Sequence, residues 1–303
     1  MPRARRLLLN PAAGRGRGAR VAHALSELAR RHRLELVVTT GLDHLLAEAR
    51  WSVEEGDDRL LVAGGDGTFH HVAQVLAGSD TALAPLPVGS GNDLTACLGV
   101  PGDLAAALAT LLESPVLPFD LGRALGRSFI LFAGLGLDGE VAHFNNTKVG
   151  RLGGTAGYVY SLLRVLPGFR PPELSVTWDG GSFEGRAYLA LAANCPRVGG
   201  GMLLTPEASW NDGLLDLILV EGLSKATLLR IFPRVFRGTH VAHPAVHIVR
   251  TRRATIHSDR PLWPNADGEP LSESPVADLE ISILPEALRV VPPGATQVAP
   301  PMV

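Results

Sequence analysis

The chain has 303 residues, 46% of them hydrophobic and 19% charged, with a formal net charge of -2 at neutral pH. That length accommodates two domains with ample core, and so even a charge balance excludes a global field for nucleic acid. Two cysteines, Cys97 and Cys195, exclude a disulfide framework and fit a reducing cytoplasm. The basic start is followed only by Leu7 to Leu9 before Asn10-Pro11, so no export signal is expected, and no apolar run nears the roughly 20 residues of a spanning helix. Any membrane contact is expected to be peripheral.

In chain order, RLLLN reads as a short strand ending at Asn10, and Val21, Leu25, Leu28, Ala29 and His32 then recur at helical spacing. LELVVTT is a strand, LDHLLAEARWSV a helix after Gly41, RLLVA a strand, and FHHVAQVLAG a helix stopped by Gly78. ALAPLPVG is the fourth strand, and NDLTACLG a helix opened by Asn92. Strand and helix in turn predict a parallel sheet covered on both faces, with ligands beyond the carboxyl ends of its strands. After about Asp120 the rhythm changes. SFILFAGLGLD, ELSVTWDG, RAYLALAANC, GLLDLILVEG, AVHIVRTRRATIHS and DLEISILP read as strands, with helical interludes near Tyr158 to Leu166 and Ser224 to Phe236. This predicts a mostly β second domain, and the proline-rich tail is expected to be disordered.

GGDGT, Gly64 to Thr68, lies between a strand and a helix, so its amides face whatever sits at that helix N-terminus. Glycine permits the close backbone approach that phosphates need, but the Lys-Ser/Thr pair of a P-loop is missing. Asp66 makes sense there if a divalent cation stands between its carboxylate and phosphate, since hard cations favour oxygen ligands. Taken alone, the loop is equally well a tight turn with Asp66 capping the helix. NPAAGRG follows the first strand and PVGSGNDL the fourth, bringing Asn10, Gly14, Ser90, Gly91, Asn92 and Asp93 to the same sheet edge. One polyphosphate explains three glycine loops together. Arg15, Arg17 and Arg20 are candidates to touch it, whereas the other arginines of the first 33 residues read as solvated helix faces. In NADGEPL, alternation would put Asp267 and Glu269 on one side of an extended segment, but Asp-Gly is the commonest hairpin-turn dipeptide, and spacing alone favours a solvent-exposed turn. Asp212-Gly213 is a turn or, more sharply, an oxygen-liganded cation site.

Together these motifs resemble the diacylglycerol kinase catalytic-domain family, which includes bacterial soluble lipid kinases and the sphingosine and ceramide kinases. The residues that carry the resemblance are NPAAG (10–14), VAGGDGT (62–68), PVGSGNDL (87–94), FDLGR (119–123), AGLGLDGEV (133–141), PEASWNDGLLDL (206–217) and DGEPL (267–271), in family order from Leu7 to Val291. The resemblance implies an α/β nucleotide-binding domain with a phosphofructokinase- or NAD kinase-like parallel sheet over 1–122, rejoined by a strand at about 286–292. It implies a β-sandwich lipid-substrate domain over 123–285, leaving 293–303 as tail. The implied activity is that of an ATP- and Mg2+-dependent lipid kinase acting on a hydroxyl of diacylglycerol or a related lipid in phospholipid biosynthesis. Such an enzyme would be cytoplasmic and peripheral to the membrane, where it meets its lipid substrate, with no nucleic-acid partner and a homodimer left open.

Carried over residue by residue, ATP would be held by Asn10, Pro11, Ala12, Ala13 and Gly14, by Thr40, by Gly64, Gly65, Asp66, Gly67 and Thr68, and by Ser90 and Asn92. Asp66, Asp93 and Asp120 would form a carboxylate and water network around the catalytic magnesium. Asp267 or Glu269 would be the general base, and Asp212 with the carbonyls of Ser209 and Leu214 would hold a structural metal. Asp138 would either contact a polar lipid head or be a hydrogen-bonded turn aspartate.

The chain also departs from the family. Where Asn-Glu commonly continues the loop, it has His70 and His71, and a histidine cannot replace the charge of a glutamate in a metal shell. A nucleotide- or lipid-binding regulator with impaired catalysis is therefore an alternative, as is an NAD kinase, which shares GGDGTF. His240, His243 and His247 have a spacing that invites zinc, but Pro244 interrupts any common helix face and no fourth ligand lies nearby, so zinc is not expected.

Overall fold

A computed structural model describes residues 5–149 and 154–293. The chain forms two compact units, one running through Phe119 and rejoined from Glu286, the other covering Asp120–Pro285. The tail expected to be disordered lies, apart from Pro293, outside the described residues.

The first unit alternates β1 (Arg6–Leu9), α1 (Ala13–Arg31), β2 (Glu35–Val38), α2 (Leu42–Glu54), β3 (Arg59–Gly64), α3 (Asp66–Leu76), β4 (Ala82–Pro87), α4 (Asp93–Cys97) and α5 (Leu104–Glu113). The strands pair in parallel in the order β4-β3-β1-β2, and Val290 joins beyond β4 by pairing with Leu83. β3 and β4 are buried along their whole length, as central strands covered on both faces must be, which is why they read as unbroken apolar runs. Arg59 is the exception among them. Its guanidinium reaches the carbonyls of Leu111, Leu112 and Ser114 at 2.7 to 3.2 Å, so the orphan acceptors at the end of α5 are satisfied by a cation. At the other end of α5, Asp103 accepts from the amide of Ala106 at 2.9 Å.

Two helices begin earlier than their apolar periodicity indicates. α3 starts at Asp66, inside the glycine loop, and α1 starts at Ala13 but breaks into left-handed backbone at Gly14, Arg15 and Gly16 before resuming. Periodicity cannot report a first turn that carries no apolar side chain.

In the second unit, β5 (Leu117–Ala124), which enters from the first, β6 (Arg127–Phe129) and β7 (Phe132–Gly136) lead into α6 (Leu137–Phe144) and α7 (Gly154–Val165). Then follow β8 (Glu173–Trp178), β9 (Gly181–Ala193), β10 (Arg197–Val198), β11 (Met202–Leu203), β12 (Leu215–Glu221) and α8 (Lys225–Ile231). The unit closes with β13 (Val246–Thr251), β14 (Arg253–Leu262), β15 (Pro264–Ala266), β16 (Glu269–Pro270) and β17 (Val276–Val290), whose end re-enters the first unit. β9 serves two antiparallel sheets: its first half pairs with β8, which continues to β14 and β17, and its second half pairs with β7 and β12. Alternating burial along β14, with Ala254, Ile256 and Ser258 inward, is the signature of a sheet with one face in the core.

The segment SFILFAGLGLD, expected as one strand, is two short strands and the first turn of α6. Helix and sheet pack so closely there that a Cβ on Gly139 would lie 1.8 Å from the carbonyl oxygen of Trp263. Replacing the fully buried Leu8 of β1 by alanine is expected to cost the first unit about 2 to 5 kcal/mol, and replacing the exposed cap Asp103 only about 1 kcal/mol, in urea unfolding.

Candidate functional site

In the first unit, the ends of β1, β3 and β4 carry the three glycine loops, and the loops touch one another. A Cβ on Gly65 would lie 2.9 Å from Cα of Gly89, and one on Gly89 would lie 2.5 Å from Cα of Gly65, so the two backbones meet where neither can carry a side chain. Gly14 is as tightly placed, since its Cβ would fall 2.2 Å from the carbonyl oxygen of Val88, and its φ of +57° is one that glycine adopts freely.

Side chains tie the same loops. Asn10 donates through Nδ2 to Oγ1 of Thr68 at 2.9 Å and accepts the amide of Ala12 at 3.0 Å, turning Pro11 to Gly14 across the sheet edge. The Asp66 carboxylate accepts the amide of Leu94 at 3.1 Å, bringing the first turn of α3 to the first turn of α4, where Asp93 is buried. Ser90 is exposed beside these contacts, and Asn92 sits in left-handed backbone with Nδ2 donating to Gly89 and a buried Oδ1 that no described group satisfies. Thr40, at the end of β2, contacts His44 at 3.2 Å. Gly64, Gly65 and Gly67 thus lie in a glycine-lined cradle with the N-terminus of α3 behind it, where amides and helix dipole favour an anion.

The residues fit magnesium-bound ATP. The cradle is one that a Cβ would fill, Asn92 offers an unsatisfied acceptor, and a magnesium ion keeps several waters and needs only one or two carboxylates beside the phosphates. Asp66 and Asp93 match that demand. Among the described residues, no three His, Cys, Asp or Glu side chains cluster to hold a metal unaided. His70, fully buried, and His71 meet edge to face at 5.3 Å on α3.

Asp120 belongs to the second unit. Its carboxylate accepts the amide of Gly213 at 2.7 Å and its own amide donates to Trp210, so it pins the loop that carries Ser209, Asp212 and Leu214. That loop does not fit a structural metal. The Asp212 carboxylate, only 7% exposed, accepts the amide of Leu214 at 3.0 Å and is ion-paired with Arg250, which arrives on the neighbouring strand β13. Its charge is neutralised from within the chain, and Ser209 turns its hydroxyl to Asn211.

Asp267 and Glu269 do not share a face of an extended segment. Asp267 and Gly268, at φ of +53° and +88°, form the tight turn between β15 and β16, so alternation does not apply. Asp267 points back into the unit and accepts the amides of Ile130, Leu131 and Phe132 at 2.8 to 3.0 Å. The turn is held from other sides by Asn146, donating to the carbonyl of Gly268, and Arg127, donating to that of Pro270. Glu269 is half-buried and paired through its backbone with Ala266, while its carboxylate makes no hydrogen bond among the described residues. Asn146 and Arg127 have no signature in sequence, because their partners are backbone carbonyls more than a hundred residues away.

The second unit also encloses an apolar cavity of about 120 Å3, walled by Phe132, Leu162, Tyr188, Leu191, Leu228 and Phe232 among others. Asp138, in the first turn of α6, opens onto it together with Tyr158 and Asn265. Among the described residues, neither carboxylate oxygen of Asp138 completes a hydrogen bond of ordinary geometry. Burial pushes its pKa from the ordinary 3.8 to about 6, against the opposing pull of the nearby Gly139 amide and Asn265 side chain. Asp216 is likewise raised to about 6 by burial, with Glu207 adding repulsion. The three histidines diverge: His240 contacts the Leu204 carbonyl, His247 pairs with Glu221, and His243 accepts the amide of Ala245.

Residues 5–124 match the family model described as the diacylglycerol kinase catalytic domain, and residues 132–292 match the YegS C-terminal NAD kinase beta sandwich-like domain. A diacylglycerol kinase of Mycobacterium tuberculosis is 34% identical over 303 residues, covering 94% of each chain. One of Bacillus subtilis is 32% identical over 215 residues, 70% of this chain and 71% of its own. The crystal structure of a diacylglycerol kinase from Bacillus anthracis superposes over 96% of this chain and 97% of its own with a TM-score of 0.70 at 21% identity, a likeness of fold.

The raised pKa of Asp138 has a pH signature. Because the folded state holds the proton more tightly than the unfolded chain, its contribution is full below about pH 4 and lost as pH rises through about 6. Asp138→Asn is expected to gain on the order of 1 to 3 kcal/mol over the parent at about pH 8 and almost nothing at about pH 4, read by urea unfolding at both pH values.

Proposed function

Because the chain belongs to the diacylglycerol kinase family and is a lipid kinase, we propose that it transfers the γ-phosphate of ATP, bound with Mg2+, to a hydroxyl of diacylglycerol or a related neutral lipid. The observation that carries the ATP assignment is the meeting of three glycine loops at one sheet edge, closed by the Gly65 to Gly89 contact. Such transfer asks for positioning and charge neutralisation more than for covalent catalysis. In this reading the loop amides of Gly65 to Thr68 and Ser90 hold the phosphates, and Asn10 keeps the first loop against Thr68. Asp66 and Asp93 orient the metal's water shell, and bound magnesium supplies the charge neutralisation that carboxylates alone would oppose.

On the acceptor side, the apolar cavity of the second unit takes acyl chain, and Glu269 is the base. As the acceptor oxygen bonds to phosphorus and the bond to the ADP oxygen breaks, Glu269 takes the hydroxyl proton. Asp267 serves instead as a positioning residue, since three backbone amides already occupy its carboxylate. No helix among the described residues is long and apolar enough to cross a membrane, in keeping with peripheral contact from the cytoplasm. His70 and His71 favour one second reading, a regulator that binds nucleotide without turnover.

The test is transfer of label from γ-labelled ATP into a total lipid extract presented in nonionic mixed micelles. The expected result is a labelled lipid, with Asp66→Ala and Glu269→Gln each at least a hundredfold slower and Glu269→Gln still binding ATP. Glu269→Gln at half the parent rate or more would remove the base assignment. Label passing to NAD would establish the NAD kinase alternative, and ATP binding with no labelled product the regulator.

A further inference from the structure

From Leu223 through Ala245 the chain carries Lys225, Arg230, Arg234 and Arg237 and no Asp or Glu, in a protein whose acids slightly outnumber its bases. The stretch comprises α8 and two 3-10 turns, Phe232–Arg237 and Thr239–Ala242. Arg230, Arg234 and Arg237 are all exposed, and none takes part in an ion pair or side-chain hydrogen bond among the described residues. Between them lie Leu229, Phe236 and Val241, with 41%, 38% and 38% of their surfaces exposed. Single exposed apolar residues are ordinary. Three within thirteen residues, interleaved with unpaired guanidinium groups and no carboxylate, are a pattern with its own chemistry.

The inner side of the same stretch supplies Leu228, Ile231, Phe232 and Val235 to the wall of the apolar cavity. Phe232 meets Phe236 edge to face at 6.0 Å, so apolar surface runs from the cavity wall to the outside through one ring pair. A solvated helix face would place its cations opposite its apolar residues. Here both point outward, and a second apolar row faces in.

We propose that residues 225–242 form the surface by which the protein docks on an anionic lipid bilayer, with the three arginines among the phosphate headgroups and Leu229, Phe236 and Val241 at the acyl boundary. The occupant follows from charge and shape: cations in the headgroup layer gain attraction from anionic lipid, and short apolar side chains beside them gain burial just beneath it. An acidic protein would satisfy the arginines but leave the outward apolar row, set against the outer side of the cavity wall, without a reason. The docked wall then lies next to the place from which acyl chains enter. This inference rests on the lipid-kinase reading only for what enters the cavity.

The experiment uses the full chain without nucleotide and measures co-sedimentation with vesicles of phosphatidylcholine alone or with about three parts in ten phosphatidylglycerol. Each cation near an anionic surface contributes roughly fivefold in partition. The expected result is binding at least tenfold tighter to the anionic vesicles, reduced by salt, and lowered at least tenfold by Arg230→Glu/Arg234→Glu/Arg237→Glu together. Equal charge reversal at the end of α1 and just past it, Arg30→Glu/Arg31→Glu/Arg33→Glu, is expected to change binding less than about twofold if those side chains stay in water. Phe236→Trp should add fluorescence that brominated lipid quenches. The proposal is overturned if the α1 variant loses binding and the 230/234/237 variant does not, if anionic lipid gives no preference, or if the new tryptophan stays unquenched on bound protein. Transfer to lipid in nonionic micelles should persist in the 230/234/237 variant. Were the parent inactive there while still bound to vesicles, the kinase reading would fail and the docking surface would stand.

Discussion

The first unit is organised by a contact that forbids side chains. Gly65 follows β3 and Gly89 follows β4, and their backbones approach so closely that a Cβ on either would collide with the other's Cα. That approach brings the N-termini of α3 and α4 together and lets Asp66 accept the amide of Leu94. The unit therefore sets the N-termini of two helices at one sheet edge, with Asp66 and the buried Asp93 beside them. In isolation an aspartate there would repel phosphate, and the proposed magnesium ion would reconcile the two.

Much of this was legible in the chain itself. Unbroken apolar runs at β1, β3 and β4, each followed by glycine and then a helical repeat, dictate a parallel sheet with its loops at one edge. The contacts that set the loops against each other were not legible, because Asn10 to Thr68 and Gly14 to Val88 join residues far apart in the chain through one side-chain bond or none. Motif identity marked these residues as a group, and only geometry says which of them touch.

In the second unit the hairpin turn that spacing favoured at Asp267-Gly268 forms, and the alternative of two aligned carboxylates does not. Asp267 and Glu269 are two residues apart, and alternation would align them, but left-handed backbone at Asp267 and Gly268 breaks the period and sends the two carboxylates to different duties. One knots the hairpin to three amides, and the other makes no side-chain hydrogen bond among the described residues. At Asp212 a pattern that reads as a cation site is filled by Arg250, whose strand pairing with β12 has no local trace in sequence. Asp138 shows the converse. Its place in an apolar segment hinted at burial, and the structure sets it against the apolar cavity, with the Gly139 amide and the Asn265 side chain too little to offset the burial.

The central claim is that the Gly65 to Gly89 approach makes the polyphosphate cradle, and calorimetric titration with ATP and Mg2+ tests it most directly. Gly89→Ala is compared with Gly102→Ala, at which a Cβ meets nothing within 4 Å, each checked for folding by thermal melting. The account predicts that the folded Gly89→Ala protein binds at least tenfold more weakly while Gly102→Ala binds like the parent. Parental affinity in Gly89→Ala would contradict it.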